Sequence, residues 1–167
     1  MSTFKNTVAR SYVGWKTYLS FRKLSKKTFQ FPVSAKEVKN VLVLLPLDEE
    51  YMDAALTLMR HLRQHFSKWH FMVLDVRKIP REQQDRYDLP SDQFIDELRK
   101  HEFQLVVDLN FQPDLRMKFI IGMLEIPYRL HIQVKDSNDF NMFARINQEE
   151  FKGFNHVFNY LKSSFAV

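Results

Sequence analysis

Four polar side chains follow a strongly apolar segment in the second half of the chain. Asp108 and Asn110 end the segment EFQLVVDLN, and Gln112 and Asp114 continue the polar turn after it. If this segment is a buried parallel strand, these side chains lie at its carboxyl end, which is the edge where open parallel sheets bind ligands. We therefore predict that Asp108, Asn110 and Gln112 mark the edge of a small-molecule site. Helix capping and bonds to loop backbone are the structural alternative for the same residues.

Three carboxylates, Asp48, Glu49 and Glu50, occupy the turn within LLPLDEEYMDAAL, after the first strand-like segment. A phosphate-binding turn at this position offers free backbone N–H groups, and glycine allows the ligand to approach closely. Here each carboxylate would itself interact favourably with the positive end of the helix, by about 0.3–1 kcal/mol. We expect the turn to start a helix with Asp48 as its cap and to repel anionic ligands. The alternative chemistry is Asp48 or Asp53 acting as a base on an acceptor hydroxyl.

Metal and nucleotide chemistry have little support in the sequence. His61 and His65 are four residues apart, a helical spacing that can chelate a metal, but no third ligand is evident. The chain has no cysteine, which removes disulfides and thiolate sites. Its three glycines are too scattered for a phosphate-binding loop. We predict no metal site and no cofactor, and we assign no catalytic residue.

The elements that would position these residues alternate between short apolar runs and amphipathic stretches. This alternation predicts an α/β fold, a Rossmann-like open, mostly parallel sheet of four to five strands flanked by helices, with an N-terminal amphipathic helical arm. A charged segment, RKIPREQQDRYDLPSD, is predicted to be a surface loop, and Ser91 is predicted to cap the helix after it. The predicted strands are 38–45, 69–76, 102–110 and 128–134. The predicted helices of the domain are 51–66, 92–101, 113–123 and 149–162, and the third of these helices is predicted to break after Gly122.

The N-terminal arm has its own pattern. Its apolar residues recur at spacings of four, four, three and four, which places them within a helical stripe about 80° wide. The pattern predicts a basic amphipathic helix ending near Phe21, then a solvated linker, RKLSKK, so that residues 1–37 form an arm and 38–167 a single domain. Residues 1–40 carry nine Lys or Arg and one acidic residue. The predicted docking residues are apolar Phe4, Val8, Tyr12, Trp15 and Leu19 and basic Lys5, Arg10, Lys16, Arg22, Lys23, Lys26 and Lys27.

Residues 103–132, FQLVVDLNFQPDLRMKFIIGMLEIPYRLHI, carry a resemblance to a known family. This segment resembles part of the N-terminal lobe of heptosyltransferase-type (GT-B) glycosyltransferases. In both, a strand ending in Asp-Leu is followed by a polar turn, a helix with an early Arg and a strand that carries an Arg. Residues 38–66 are similar to it in layout. The resemblance implies a Rossmann-like lobe. The family's Gly-Asp turn is replaced here by Pro46-Leu47-Asp48-Glu49-Glu50, and we expect no second lobe in this chain, where that family holds most of its sugar-nucleotide site.

These observations favour a non-catalytic interaction or adaptor protein, docked to a larger assembly or a membrane surface by its basic helix. A protein partner or a homo-oligomer is favoured, an anionic membrane surface is an alternative, and nucleic acid is less favoured because no RNA-binding signature accompanies the basic residues. The helix could instead fold back onto its own domain. A glycosyltransferase-like subunit completed by a partner chain is the enzymatic alternative. Because no apolar run reaches the roughly 20 residues that cross a bilayer, we expect a cytoplasmic protein, with peripheral attachment to the inner face of the membrane as an alternative.

Overall fold

A computed structural model of the protein describes residues 3–25, 31–112, 114–132, 139–148 and 151–166, with side chains of the first helix described from Thr7 to Lys23. Short 3-10 turns precede several of its elements. In chain order the helices and strands are α1 (Thr3–Ser25), β1 (Val33–Ser34), β2 (Asn40–Leu44), α2 (Met52–His65), β3 (His70–Leu74), α3 (Asp92–Arg99), β4 (Leu105–Asp108), α4 (Leu115–Leu124), β5 (Tyr128–His131), β6 (Met142–Phe143), α5 (Asn155–Ser164) and β7 (Phe165–Ala166).

The central sheet has five parallel strands in the order β3-β2-β4-β5-β6. The strand order reverses between β2 and β4, so the chain leaves these two neighbouring strands in opposite directions. Strands β2 and β4 are buried almost throughout, as their continuous apolar runs indicate. The predicted Rossmann-like α/β fold, with a parallel sheet flanked by helices and an N-terminal helix, is confirmed.

Each face of the sheet is covered by a separate layer of helices. Alternate residues of a strand point to opposite faces, so Val41 and Val43 join one core while Leu42 and Leu44 join the other. The first core includes the buried residues of α2 and α5, and the second includes those of α3 and α4. A separate two-stranded pair, β1 with β7, lies beside the first core, with Val33 paired with Phe165.

Helix α1 packs against α4. Its buried positions recur every fourth residue, and they face α4, where a Cβ added at Gly122 would overlap the side chain of Thr17. Glycine therefore allows the two helix backbones to approach closely, and α4 continues through Gly122 to Leu124. The prediction that this helix breaks after Gly122 is wrong, because the glycine provides space for the contact between α1 and α4 within an uninterrupted helix. The buried residues of α1 are Ala9, Val13, Thr17 and Phe21.

The end of α1 also differs from the prediction. The helix continues to Ser25, beyond the predicted end near Phe21, so the first part of the predicted linker is helical. Its last turns are held by Glu125, which accepts hydrogen bonds from Lys23 at 2.9 Å and from Ser20 at 3.2 Å. The apolar stripe predicted from the spacing is not the buried face, which lies next to it on the helix.

Two further predictions within the domain also need correction. The charged segment after β3 is not only a surface loop, because Ile79 and Leu89 are buried in the second core. Asp85 shapes this segment by accepting hydrogen bonds from the backbone N–H groups of Tyr87 and Leu89. Helix α5 begins at Asn155, later than predicted, because Gly153 has a φ of +102°, which a helix does not allow.

Candidate functional site

The carboxyl edge of the sheet brings the predicted ligand residues beside the turn after β2. Leu44 and Asp108 are paired at the ends of neighbouring strands, at the point where the strand order reverses. Open α/β sheets leave a ligand crevice at this place. The cleft here has about 50 Å³ of space for water-sized molecules, which at about 10–15 Å³ each admits only a few waters. Its walls are Pro46, Leu47, Asp48, Tyr51, Asn110, Phe111 and Gln112.

The buried amide of Asn110 joins the two loops that form this cleft. Its Oδ1 accepts a hydrogen bond from the Leu47 backbone N–H at 2.8 Å. Its Nδ2 donates to the Leu45 carbonyl at 3.0 Å and to Asp108 Oδ1 at 2.7 Å. Both donors and the acceptor of the amide are therefore used within the protein. Gln112 is exposed.

Asp108 also contacts a histidine that the sequence analysis did not select. Its Oδ2 lies 3.3 Å from Nδ1 of His131, its register partner at the end of β5. The His131 ring stacks on Phe140, with 4.6 Å between centroids. A carboxylate beside an imidazole can orient a general base, but both side chains are buried, so a substrate has no direct approach to them. Only the pairing of β4 with β5 could have identified His131. Its distance along the sequence from other histidines and carboxylates does not match the spacing of metal ligands.

The carboxylate-rich turn after β2 does not form the predicted cap. A 3-10 turn, Glu49–Tyr51, separates Asp48 from α2, and the Asp48 side chain makes no capping hydrogen bond. The Asp48 carbonyl instead accepts from the Tyr51 N–H at 3.2 Å. The amides of Leu47 and Tyr51 are thus already bonded, and the exposed carboxylates of Asp48, Glu49 and Glu50 surround the turn. This arrangement is unfavourable for a phosphate.

Two arginines at the same edge are held by aspartates of their own segments. Arg77 makes a bidentate contact with Asp75, with both N–O distances 2.9 Å, and Arg116 makes a similar one with Asp114. The hydrogen bonds from the Arg77 side chain hold the pKa of Asp75 below its usual value, although burial opposes this shift. Asp114 also caps α4 by accepting from the N–H groups of Arg116 and Met117. The two guanidinium groups therefore stabilise loops at this edge.

Helix α1 presents a second candidate surface on the side away from α4. Trp15 and Leu19 are 73% and 71% exposed, and Tyr18, which the sequence analysis did not select, is 58% exposed. We call these three residues the outer face of α1. Their i, i+3 and i+4 spacing places them together on one side of the helix, which is the signal that could have included Tyr18.

The other predicted docking residues differ in their surroundings. Val8 is half-buried, and so is Tyr12, whose ring lies against those of Tyr87 and Phe119. Lys16 lies 3.8 Å from Asp92, and Lys23 pairs with Glu125. Arg10 and Arg22 are exposed. The side chains of Phe4 and Lys5, and the whole of Lys26 and Lys27, lie outside the described residues.

The histidine pair on α2 has an aromatic environment. The rings of His61 and His65 both contact Phe158 of α5, with centroids 5.9 and 5.6 Å away. Within the ranges that the structure describes, no three His, Cys, Asp or Glu side chains converge as a metal site requires. The two histidines therefore make edge contacts with a ring of the neighbouring helix, although His61 is exposed and His65 is half-buried.

Comparison of the chain with family models, with curated proteins and with solved structures finds no match. Among the described helices, none has an apolar stretch long enough to cross a bilayer.

Proposed function

We propose that this protein is a non-catalytic interaction module built on a glycosyltransferase-lobe-like domain, and that the outer face of α1 docks onto an acidic surface of a partner protein. The observation that carries the proposal is the exposure of Trp15, Tyr18 and Leu19 together on one helix whose opposite side is fixed to the domain. A rigid helix presents these side chains without the entropy cost of ordering a flexible arm.

The residue types of the outer face suit protein recognition. Tryptophan and tyrosine dominate interface hot spots because they bury a large area with few rotatable bonds. A buried aromatic side chain covers about 150–250 Å², so its burial is worth several kcal/mol at about 25 cal/mol per Å². A cluster of this kind has little reason to remain in water unless a partner covers it.

The charge of α1 favours an acidic partner. The helix contains five Lys or Arg and no acidic residue. Arg10 and Lys23 are exposed, and Lys23 keeps 67% of its side chain accessible even though it pairs with Glu125. Such an unbalanced charge speeds encounter with a negative surface and selects against basic partners.

A protein partner fits α1 better than a membrane. A helix that lies in the membrane interface presents a continuous apolar face along its length. In α1 the apolar residues are divided, because Val13 and Phe21 face the domain while the outer face covers little more than one turn. A short cluster with aromatic anchors is the size of a hot spot, and it is too small to insert an entire helix into lipid.

The buried polar network at the carboxyl edge supports the non-catalytic part of the proposal. Both N–H donors of the Asn110 amide are used and its Oδ1 already accepts one hydrogen bond, and Asp108 is buried behind bonds to Asn110 and a contact with His131. These groups hold loops together, and the cleft beside them is too small for a sugar nucleotide.

The proposal is tested with a double variant, Trp15→Ser with Leu19→Ser, and a control variant, Leu56→Ser, which removes an exposed leucine from α2. In an affinity purification, the intact chain should retain one acidic partner protein after washing. The double variant should bind that purified partner at least about 30-fold more weakly, because truncation of hot-spot residues costs about 2 kcal/mol or more. The control should bind normally. Both variants should unfold within about 0.5 kcal/mol of the parent because the changed residues are exposed.

Three outcomes would contradict the proposal. The double variant could bind the partner as tightly as the parent. The parent could float with phosphatidylserine vesicles and lose this behaviour in the double variant, which would make the outer face a membrane anchor. Binding to nucleic acid that weakens steeply with salt would assign the basic residues to that ligand. Deleting α1 is the poorer experiment, because it would uncover the apolar surface of α4.

A further inference from the structure

A groove at the amino edge of the sheet lies on the opposite end of the strands from the cleft. It forms where the end of α2 and the start of β3 meet the segment before β2, and its volume is about 400 Å³. Ligand pockets for small molecules have volumes of about 300–1,000 Å³. The groove is therefore large enough for a small organic molecule, unlike the cleft at the carboxyl edge.

The floor of the groove is apolar and rigid. Phe66 and Trp69 stack in parallel, with 3.9 Å between ring centroids, and Val38 lies beside them. The Trp69 indole N–H donates to the Ala35 carbonyl at 2.9 Å, which fixes the ring and satisfies its polar atom. These three side chains are only 2–6% exposed, so most of the contact area for the body of a ligand comes from the rest of the groove lining, which is mainly apolar.

The rim of the groove is cationic. Lys36, Lys39 and Lys68 line it and are exposed, and the described residues of the lining include no acidic side chain. The nearest carboxylate in sequence, Glu37, is directed to the Tyr128 hydroxyl, where burial raises the pKa of that tyrosine and Glu37 raises it further. An anion in the groove would meet three ammonium groups and no carboxylate from the described residues of its walls.

One feature of the groove opposes an anion. The carboxyl end of α2 lies beside it at His65, and a helix carboxyl end carries about half a unit of negative charge, which repels a nearby anion. Each ammonium group carries a full unit of positive charge. Three lysines therefore outweigh the helix end.

We infer that this groove binds an organic anion, a molecule with an apolar body of small-molecule size and a carboxylate, sulfonate or phosphate group. The apolar body lies on the Phe66 and Trp69 floor, and the anionic group meets the lysines of the rim. The site is independent of the outer face of α1 and of the proposed docking function.

The experiment compares two probes that share an anilinonaphthalene body. The sulfonate 1-anilinonaphthalene-8-sulfonate is an anion, and N-phenyl-1-naphthylamine is its neutral counterpart. A Trp15→Phe background leaves Trp69 as the single tryptophan, so energy transfer from Trp69 to the bound probe reports on this part of the protein. The full-length chain is titrated with each probe at low and high salt.

Two triple variants with equal charge change separate the groove from general charge. The first carries Lys36→Gln, Lys39→Gln and Lys68→Gln. It should lower the affinity for the sulfonate at least tenfold and change the affinity for the neutral probe less than about twofold. The control carries Lys100→Gln, Lys152→Gln and Lys162→Gln at exposed positions elsewhere, and it should bind both probes as the parent does.

Salt should reduce the sulfonate's advantage over the neutral probe in the parent, because exposed charges are screened. The inference is overturned if the sulfonate does not bind, if both triple variants weaken it equally, or if the groove variant binds it as the parent does. Equal weakening of both probes by the groove variant would also overturn it, because the lysines would then not recognise the charge.

Discussion

Arg129 is the largest side chain that the structure buries completely. Its guanidinium donates to the backbone carbonyls of Ile126 at 3.0 Å and Asp139 at 2.6 Å, and to Pro127 at 3.3 Å. Burial lowers its pKa to about 10, although Asp139 opposes the shift. Arg129 thus ties together the segments around β5 and β6.

Replacing Arg129 with methionine should lower the free energy of unfolding by about 3 kcal/mol. The change removes a buried charge, which by itself is favourable, but it leaves carbonyl groups without donors, each costing about 1 kcal/mol or more. Chemical denaturation monitored by circular dichroism measures the loss. Arg129→Lys is the matched control and should lose less, because one ammonium group can replace part of the network. A fully stable methionine variant would show that the network contributes nothing.

The Asp75–Arg77 pair gives stability a specific pH dependence. Since hydrogen bonds from Arg77 hold the pKa of Asp75 below its ordinary value of 3.8, the stabilisation is fully present above that pH and is lost as the pH falls through the lower, folded-state value. Asp75→Asn should therefore cost about 1–3 kcal/mol at neutral pH. The difference from the parent should shrink below about pH 3.8 in thermal unfolding. A difference that stays constant into acid would contradict this assignment.

Among the elements, short and mainly apolar segments located the four principal strands of the sheet, with β5 interrupted by Arg129, and the face of α2 that includes Ala55, Met59 and Leu62 is buried as its spacing predicted. Ser91 caps α3 through a hydrogen bond from the Phe94 N–H at 3.2 Å. These features depend on neighbouring residues, so a local pattern can predict them. The two-residue strands β1, β6 and β7 are too short to leave such a pattern.

The packing of α1 could not be predicted from α1 alone. Two adjacent stripes fit the helical period, one containing Tyr12, Trp15 and Leu19 and the other containing Val13 and Phe21. The choice between them depends on Gly122, which lies 105 residues after Thr17 in the chain and provides the space for its side chain. No periodicity within the arm contains that information.

Gly122→Ala tests the contact between the helices. The added methyl group would overlap the Thr17 side chain and should cost about 1–3 kcal/mol by overpacking, which exceeds the gain of up to about 1 kcal/mol from replacing glycine in a helix. Thermal unfolding should show a clear net loss. Thr17→Gly combined with Gly122→Ala should restore part of it, giving a favourable coupling in the double-mutant cycle. Strictly additive effects would mean that the two residues do not meet.

At the scale of the whole molecule, the strand order places Asp108 and Asn110 at the carboxyl edge as a ligand site would require. The sequence could indicate that edge, because strand ends are visible in it. It could not indicate that Asn110 bonds to Leu45 and Leu47, since those contacts cross 65 and 63 residues of chain. The same polar residues that predict a ligand site thus stabilise the junction of two loops.

The molecule as a whole presents two accessible features on different elements. The outer face of α1 is held rigid by α4, and the groove at the amino edge is formed by α2 and β3. Variants of Trp15 should therefore leave binding in the groove unchanged, and variants of Lys68 should leave docking by α1 unchanged.

Photocrosslinking at position 15 in living cells is the most direct test of docking by the outer face of α1. Trp15 is replaced by p-benzoylphenylalanine, and the same photoreactive residue replaces exposed Asn159 of α5 in a control chain. We expect a single protein adduct from position 15, loss of that adduct when Leu19→Ser is added, and no matching adduct from position 159. An adduct of equal yield from both positions, or none from position 15, would contradict it.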